Sequence, residues 1–384
     1  MPPAFDAAHL AALHEALLSW FAVAGRDLPW RRRRSAYGTW ISEMMLQQTT
    51  VAAVVPYWER FLARFPDVAA LAAADESEVL ALWSGLGYYR RARMLHAAAR
   101  RIVADDGGVL PADRARWRSL PGIGDYAAGA IASIALGEAV PAVDANVRRV
   151  LTRWAAAGGD EAARLTPARL QDMAAALVPA SAPGPWNEAL MELGATVCRA
   201  REASCRACPV LDWCAAGLAG TAAEVPPARV RPAPVRVAVG LVVARRGREV
   251  LLLPPGAPAA VAVPASGAPE RDDLGGLHRG LWALPGTPWY AEPADPAHWR
   301  RRLVGACTAW AGSAAAGPPV LVGRISHAIT RFRLAVDVVE VPVAAHADPA
   351  DLGGEGAVFA RQGDPRPLSK LVVKVIAASG HGSG

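Results

Sequence analysis

The hydrophobic residues of this 384-residue chain follow two periodicities, and the change between them constrains the fold more than any other feature. Up to residue 218, apolar residues recur at helical spacing, as at Leu10, Leu13, Leu17 and Phe21. Beyond residue 236, short segments alternate between apolar and polar residues, as half-buried strands do. The sequence therefore predicts a helical domain followed by a domain that mixes strands and helices.

The boundaries between these parts follow from composition. Residues 219–236 are rich in Pro, Ala and Arg, which is typical of extended, semi-rigid linkers. We therefore predict a helical domain over residues 1–218, a linker over 219–236, a smaller α+β domain over 237–376 and a flexible tail over 377–384. Residues 254–276 are rich in Pro, Gly and Ala and predict a mobile loop.

Individual elements are predicted from the same patterns and from the Gly and Pro residues between them. Helices are predicted over residues 7–21, 50–65, 76–83, 91–104 and 145–154. Strands are predicted over residues 237–244, 250–253 and 331–343, the first two as a hairpin.

Composition excludes some classes of protein. The hydrophobic fraction of 53% is ample for buried cores. Asp6 and His9 interrupt the N-terminus early, and no run reaches eighteen uninterrupted apolar residues. We therefore expect a soluble cytoplasmic protein with no membrane partner. The net charge of +6 favours a polyanionic partner only weakly, because a solvated Arg-rich surface gives the same balance.

Four of the five cysteines lie in one short segment with the spacing Cys198-x6-Cys205-x2-Cys208-x5-Cys214. In a cytosolic protein such a cluster is not a disulfide framework. Clustered thiolates bind soft metals, so the segment predicts either a tetrahedral zinc ion or an iron–sulfur cluster. Cys307 stands alone and is predicted to be an ordinary buried thiol.

A tight turn separates two helical patterns at residues 120–131, LPGIGDYAAGAI. Gly122 and Gly124 free the backbone to expose amides ahead of a helix, which makes either an anion site or a simple turn between helices. Asp144 follows at the start of the next helix, where it can cap the helix and still present one oxygen to a substrate. Amide hydrogen bonds would favour the ionised form of this carboxylate.

Glu43 is the second carboxylate of interest. It is the ionisable residue among Trp, Ile, Met and Leu in the segment WISEMMLQQT, residues 40–49. A lone helical glutamate often faces solvent, but burial here would raise its pKa toward that of a general acid. One protonated acid and one ionised carboxylate, Glu43 and Asp144, form the pair that glycoside hydrolysis uses.

Long stretches resemble the adenine DNA glycosylases (the MutY family) of the helix-hairpin-helix, endonuclease III superfamily. The matching segments are residues 28–30, 40–49, 82–93 and 186–195, and the likeness covers residues 10–216. The cysteine spacing resembles the [4Fe–4S] loop of the same superfamily. The resemblance implies a mainly α helix-hairpin-helix glycosylase domain that acts on duplex DNA as a monomer close to the nucleoid. Ala145 departs from the family, which has Gly beside the catalytic Asp.

The resemblance also implies roles for single residues. Glu43 would protonate the flipped adenine, Asp144 would stabilise the cationic sugar, and Tyr126 would support the acid. Tyr126 stands where bifunctional members carry a catalytic lysine, and residues 1–369 contain no lysine, so a strand-cleaving Schiff base is excluded in the helical domain. The other implied residues are Arg26, Leu28, Trp30 and Glu188 in the adenine pocket, Gln48 and Tyr88 as wedges in the base stack, Gly122 and Gly124 as DNA contacts, and Cys198, Cys205, Cys208 and Cys214 as cluster ligands.

The second domain resembles, at residues 280–286, the Nudix-like domain of adenine glycosylases. The carboxylates that hold Mg²⁺ in Nudix hydrolases are missing after Gly286, so nucleotide hydrolysis is not expected. Ile325-Ser326-His327 matches the Phe-Ser-His loop by which the family recognises 8-oxoguanine. Ser326 and His327 would contact the lesion, although His327 could equally be an ordinary histidine.

The sequence thus favours a monofunctional glycosylase that removes adenine opposite 8-oxoguanine or guanine in base excision repair. An endonuclease III-like glycosylase/lyase for oxidised pyrimidines is the second interpretation. A catalytically silent DNA-binding module is the third, and the presence of both Glu43 and Asp144 argues against it.

Overall fold

The structure is a computed structural model that describes residues 6–227, 232–263, 281–329, 331–361, 363–364 and 366–379. The chain forms two compact units, one from residues 1–74 and 90–230 and the other from residues 75–89 and 231–384. Parts of the predicted linker (228–231), loop (264–276) and tail (380–384) lie outside the described residues, as does Gly280.

The first part of the chain is helical, as its periodicity predicts. Its helices are α1 (Ala7–Ala24), α2 (Pro29–Arg32), α3 (Ala36–Leu46), α4 (Val51–Arg64), α5 (Val68–Ala73), α6 (Glu76–Trp83), α7 (Arg90–Asp106), α8 (Arg114–Arg118), α9 (Asp125–Leu136), α10 (Ala145–Ala155), α11 (Gly159–Ala163), α12 (Pro167–Leu177), α13 (Pro183–Thr196) and α14 (Ala215–Leu218). Side chains cap several of them, and Asp6, Asp67 and Asp113 each accept a backbone N–H of the first turn.

Helix α3 is the interior helix of the first unit. Its residues from Tyr37 to Met45 are all buried, and it packs against α2, α4, α7 and α9. Helix α13 packs against α1, α9 and α10. Gly194 allows the last of these contacts, since a Cβ there would lie 2.7 Å from the Asn146 Cβ. The packing therefore brings α3, α9, α13 and the start of α10 into one neighbourhood.

Among the described residues, helix α1 is the one element long and apolar enough to span a membrane by length and composition. The sequence contains no run of eighteen uninterrupted apolar residues and therefore did not predict such a helix. Its Leu13 and Leu17 are fully buried and pack in the core cluster that also contains Trp186 and Leu190 of α13. These two leucines are the buried residues among the 18 of α1, so 11% of the helix is buried.

The second unit contains a mixed six-stranded sheet with the order β4-β5-β1-β2-β6, and β3 also pairs with β1. Strands β1 and β5 are parallel and the other pairs are antiparallel. The strands are β1 (Val235–Arg246), β2 (Glu249–Leu252), β3 (Tyr290–Ala291), β4 (Val320–Ile329), β5 (Phe332–Pro342) and β6 (Val358–Arg361); the helices are α15 (Pro296–Ala311), α16 (Pro349–Gly353) and α17 (Lys370–Ser379).

The sheet separates two hydrophobic cores. On one face, Leu371, Val372 and Val375 of α17 pack in a cluster with alternate residues of β1 and β5. On the other face, α15 contributes Trp299, Leu303 and Cys307, so Cys307 is a buried thiol as predicted. The unit is therefore an α+β domain with a helix on each side of its sheet.

Three predicted boundaries differ from the structure. Helix α6 and the loop to Tyr89 group with the second unit, where the Ser84 and Tyr89 hydroxyls donate to the Leu368 carbonyl at 2.7 and 2.8 Å. Strand β1 begins two residues before the predicted start of the second domain at residue 237. Helix α17 runs into the predicted tail as far as Ser379, whose hydroxyl accepts a hydrogen bond from Arg245.

Candidate active site

The predicted acid, Glu43, is buried in the first unit. It lies on α3 with 5% of its surface exposed, and its Oε2 accepts a hydrogen bond from the Tyr126 hydroxyl on α9 at 2.5 Å. Burial raises the pKa of Glu43 to about 7, with the carboxylates of Asp144 and Glu188 also raising it, against the Tyr126 hydrogen bond and the positive charge of Arg31. Glu43 can therefore hold a transferable proton near neutral pH.

Asp144 caps helix α10, as its position in the sequence predicts. Its Oδ1 accepts from the Val147 amide at 2.7 Å, and its Oδ2 accepts from the Asn146 side chain at 3.0 Å. These bonds favour the ionised carboxylate, but burial outweighs them and raises the pKa of Asp144, contrary to the expectation that the amide bonds would dominate. The carboxylate is close enough to raise the pKa of Glu43 by repulsion.

Sequence reasoning did not single out Asn146 or Arg149, which extend the site beyond Asp144. The Arg149 Nη2 donates to the Asn146 Oδ1 at 3.0 Å and to the Gly194 carbonyl at 2.7 Å. Its Nε donates to the Cys198 carbonyl at 2.9 Å. A chain of hydrogen bonds therefore joins the cap residue to the start of the cysteine segment.

Three of the four predicted adenine-pocket residues are buried. Leu28, Trp30 and Glu188 have 7%, 8% and 4% of their surface exposed, whereas Arg26 is exposed. The ring of Trp30 meets Trp58 edge-on, with 5.9 Å between ring centroids. Trp30 is therefore held in one orientation by aromatic packing.

An ion-pair network runs beside this pocket, and three of its members, Arg31, Arg34 and Glu192, were not predicted. The Arg31 guanidinium donates to Glu188 Oε1 at 3.2 Å and to Glu192 Oε2 at 2.9 Å. Arg26 donates to both oxygens of Glu192, and Arg34 pairs with Glu188 at 2.7 Å. These partners are far apart in sequence, so no local pattern indicates the pairing of Arg31 with Glu192. The position of Glu192, one helical turn after Glu188, is the one signal that could have identified it.

The Gly-rich hairpin between α8 and α9 has the tight geometry that its sequence predicts. Gly122 has φ +79°, and a Cβ there would lie 2.8 Å from the Met94 Cβ, so both backbone and packing require glycine. Gly124 precedes α9 with no atom within 4 Å of where a Cβ would stand. Its backbone is thus open to an approaching phosphate. Asp125 in the first turn is held by Arg118 at 2.8 Å.

Gln48 and Tyr88, the predicted wedge residues, share an unusual backbone. Gln48 has φ 60° and Tyr88 has φ 50°, and they are the non-glycine residues with positive φ in the described part of the chain. Both are exposed. Such conformations are costly and cluster at functional sites, so the geometry supports a special role for both residues.

The four clustered cysteines line one cavity in the first unit. Arg153 donates to the Cys198 sulfur at 3.1 Å, and the Gly217 amide donates to the Cys214 sulfur at 3.3 Å. Burial raises the pKa of Cys208 to about 12 and of Cys214 to about 11, so a cationic group would be needed to hold them as thiolates. In the described chain, no group of three or more His, Cys, Asp or Glu residues is arranged to hold a single metal ion.

The lesion-recognition residues predicted in a loop lie in strand β4 instead. Ser326 pairs in register with Ala335 of β5, and His327 pairs with Leu334. Because successive strand residues point to opposite faces, Ser326 and His327 face opposite sides of the sheet. Ser326 is exposed, while His327 is half-buried. Burial lowers the pKa of His327, and the charges of two lysines on α17 lower it further.

Comparisons with known proteins agree with this geometry. The pattern of the HhH-GPD superfamily, described as base excision DNA repair proteins, matches residues 41–176. Adenine DNA glycosylase of Homo sapiens is 37% identical over 380 residues, covering 87% of this chain and 67% of the human protein. Adenine DNA glycosylase of Mycolicibacterium smegmatis is 49% identical over 213 residues, covering 54% of this chain and 72% of that protein.

The structure of a thermostable thymine-DNA glycosylase has a similar fold, with a TM-score of 0.51 and 28% sequence identity. The likeness covers 56% of this chain and 99% of that one. This likeness shows the fold, and the two adenine glycosylase relatives, each matched over two thirds or more of its own length, show the family. This chain belongs to the adenine DNA glycosylases, enzymes of the helix-hairpin-helix base excision repair superfamily.

Proposed function

We propose that this enzyme removes adenine that is mispaired with 8-oxoguanine or guanine in duplex DNA and leaves the strand intact. The observation that carries the proposal is the pairing of buried Glu43, with a pKa near 7, and the cap carboxylate Asp144 in one site. The adenine glycosylase relatives support adenine as the excised base.

Glu43 supplies the proton that makes adenine a leaving group. The Tyr126 hydroxyl donates to Oε2, which leaves Oε1 to carry the transferable proton. Proton transfer to a ring nitrogen of the flipped adenine withdraws electrons from the N-glycosidic bond and allows it to break. In its ionised form, Asp144, which the Val147 amide and the Asn146 side chain orient, then stabilises the positive charge on the deoxyribose. Water adds to the sugar carbon from which adenine has left and gives up a proton, which restores the acid form of Glu43, and an abasic site remains.

Strand cleavage is not part of the proposed reaction. Tyr126 offers no amine, and the two lysines of the chain, Lys370 and Lys374, belong to the second unit. A Schiff base with the sugar needs an amine at the site of excision. The first unit therefore hydrolyses the bond to the base without cutting the DNA backbone.

The cysteine segment fits a [4Fe–4S] cluster held by Cys198, Cys205, Cys208 and Cys214. The thiolate donors around one cavity and the N–H donors to two of the sulfurs suit a soft metal centre. The resemblance of the cysteine spacing to the [4Fe–4S] loop favours the cluster over a single zinc ion. When bound, the positive iron–sulfur core would compensate part of the charge of the thiolates and would tie the segment together. The residues of the excision site carry the chemistry without it.

The second unit would read the base opposite adenine. Ser326 presents an exposed hydroxyl that can donate or accept a hydrogen bond. His327 faces the other side of the sheet, so Ser326 is the one of the two that would contact the base. Gln48 and Tyr88 would fill the space that the flipped adenine leaves.

A glycosylase assay on duplexes that place adenine opposite 8-oxoguanine, guanine or thymine tests the proposal. We expect alkali-dependent strand cleavage that is fastest opposite 8-oxoguanine, and no covalent complex after borohydride treatment. Cleavage without alkali, together with borohydride trapping, would instead support the glycosylase/lyase acting on oxidised pyrimidines. Equal rates opposite all three bases would overturn the role of the second unit.

A further inference from the structure

Glu192 is a buried charged residue to which the proposed reaction assigns no role. It lies on α13 one turn after Glu188, and its side chain is fully buried. Burial alone would raise its pKa, but the hydrogen bonds and charges of Arg26 and Arg31 hold the pKa of Glu192 below its ordinary value. Glu192 is therefore ionised although no part of it reaches solvent.

Arg31 connects Glu192 with the acid site. Its Nη2 donates to Glu192 at 2.9 Å, its Nε donates to Glu188 at 3.2 Å, and its Nη1 donates to the Arg26 carbonyl at 2.9 Å. All three guanidinium nitrogens are thus held, which fixes the position of the charge. The same guanidinium lowers the pKa of Glu43, so it acts directly on the group that must carry the proton.

The charged and titratable groups that act on Glu43 come from four elements. Tyr126 of α9 and Arg31 of α2 lower its pKa, while Asp144 at the start of α10 and Glu188 of α13 raise it. Arg31 is the cation in this described set. Its effect is the smallest of the five on the pKa of Glu43, after burial, Tyr126, Asp144 and Glu188, and it depends on where the guanidinium is held and on how far its charge is neutralised.

We propose that Glu192 is a positioning residue for the proton-transfer step: it fixes Arg31 and neutralises its charge, so that Glu43 keeps its proton at neutral pH. Glu192 also holds Arg26 through both carboxylate oxygens. This inference rests on the proposed role of Glu43 as the general acid.

Two variants separate charge from shape. E192Q keeps the size of the side chain and removes its charge, whereas E192D keeps the charge and shortens the side chain. We would measure single-turnover excision of adenine opposite 8-oxoguanine across the pH range, where the rate falls as pH rises through the pKa of Glu43. For E192Q we expect this fall to move to lower pH by about half a unit, which is roughly a threefold slower reaction on the alkaline side. For E192D we expect the fall at the wild-type pH.

Glu249 offers a matched control, because it is a glutamate of the second unit that pairs with Arg246 and Arg361. E249Q also removes an Arg-paired carboxylate, and its pH profile should match that of the wild type. An E192Q profile at the wild-type pH, or equal shifts in E192Q and E192D, would overturn the proposal. Wild-type protein that excises no adenine would overturn the proposed function instead.

The buried charges left in E192Q cost stability, so folding is checked by thermal unfolding before the kinetics. If E192Q does not fold, the double variant R26Q/E192Q decides, because it removes one cation together with the carboxylate. Arg31 still loses its partner in this variant, so the fall in rate should again move to lower pH. A profile at the wild-type pH would contradict the role of Glu192.

Discussion

Glu43 in the first unit and Asp337 in the second are both buried carboxylates, but their surroundings are opposite. Asp337 has no exposed surface and accepts hydrogen bonds from Trp299, Arg300 and Arg324. Arg324 donates to both carboxylate oxygens of Asp337, at 3.0 and 2.8 Å. In the described chain, the side-chain hydrogen bond that reaches Glu43 comes from the neutral hydroxyl of Tyr126.

The difference shows that burial alone does not decide what a carboxylate does. Two guanidiniums on one buried carboxylate make a fixed structural link, because their charges compensate the lost hydration. A buried carboxylate with a neutral donor and carboxylate neighbours gains a proton instead. Glu192 resembles Asp337, because it is buried and held by two guanidiniums, although it lies on the same helix as the pocket residue Glu188.

Removing the acid Glu43 tests most directly whether it differs in function from Asp337. E43Q cannot release a proton to adenine, so single-turnover excision should fall by the factor of roughly 10² to 10⁴ typical of general acid catalysis. Duplex binding should survive, because the amide has the same shape as the protonated acid. Wild-type excision by E43Q would show that the proton comes from another group.

Removing the structural carboxylate should affect folding instead. D337N leaves Arg300 and Arg324 without their buried counter-charge, and we expect a loss of about 3–5 kcal/mol in the free energy of unfolding of the second unit. Urea unfolding measures this loss. D172N, which changes an exposed aspartate of α12, should stay within about 0.5 kcal/mol of the wild type.

The raised pKa of Glu43 also makes a prediction about stability against pH. Between the ordinary value of 4.5 and about 7, the folded state binds a proton that the unfolded state has lost, so this contribution to stability declines as pH rises. E43Q lacks the decline and should be more stable than the wild type by about 3 kcal/mol above pH 7. Near pH 4 the two proteins should unfold alike, and an equal difference at both pH values would contradict the buried acid.

The smallest effect among these changes is expected from the Tyr126 hydroxyl. Its hydrogen bond lowers the pKa of Glu43, so Y126F should raise that pKa and move the alkaline fall in excision to higher pH by about half a unit to one unit. This direction is opposite to that expected for E192Q. A pH–rate profile of Y126F that moves to lower pH would show that Tyr126 does not act through its hydrogen bond.

The sequence predicted the parts of this site that depend on local composition. Glu43 among apolar residues is buried, and Asp144 at a helix start is a cap. Arg31 and Glu192 were missed because an ion pair between distant helices leaves no periodic signal. Strand β4 was missed for a similar reason, since it is defined by its pairing with β5 rather than by a regular alternation of its own residues.

The left-handed backbone at Gln48 and Tyr88 has a consequence for engineering of this enzyme. A left-handed conformation costs an L-residue about 1–2 kcal/mol, which glycine would recover. Selection for heat resistance alone would therefore favour glycine at these two positions before most others. Such substitutions would remove the two exposed side chains that the left-handed backbone presents.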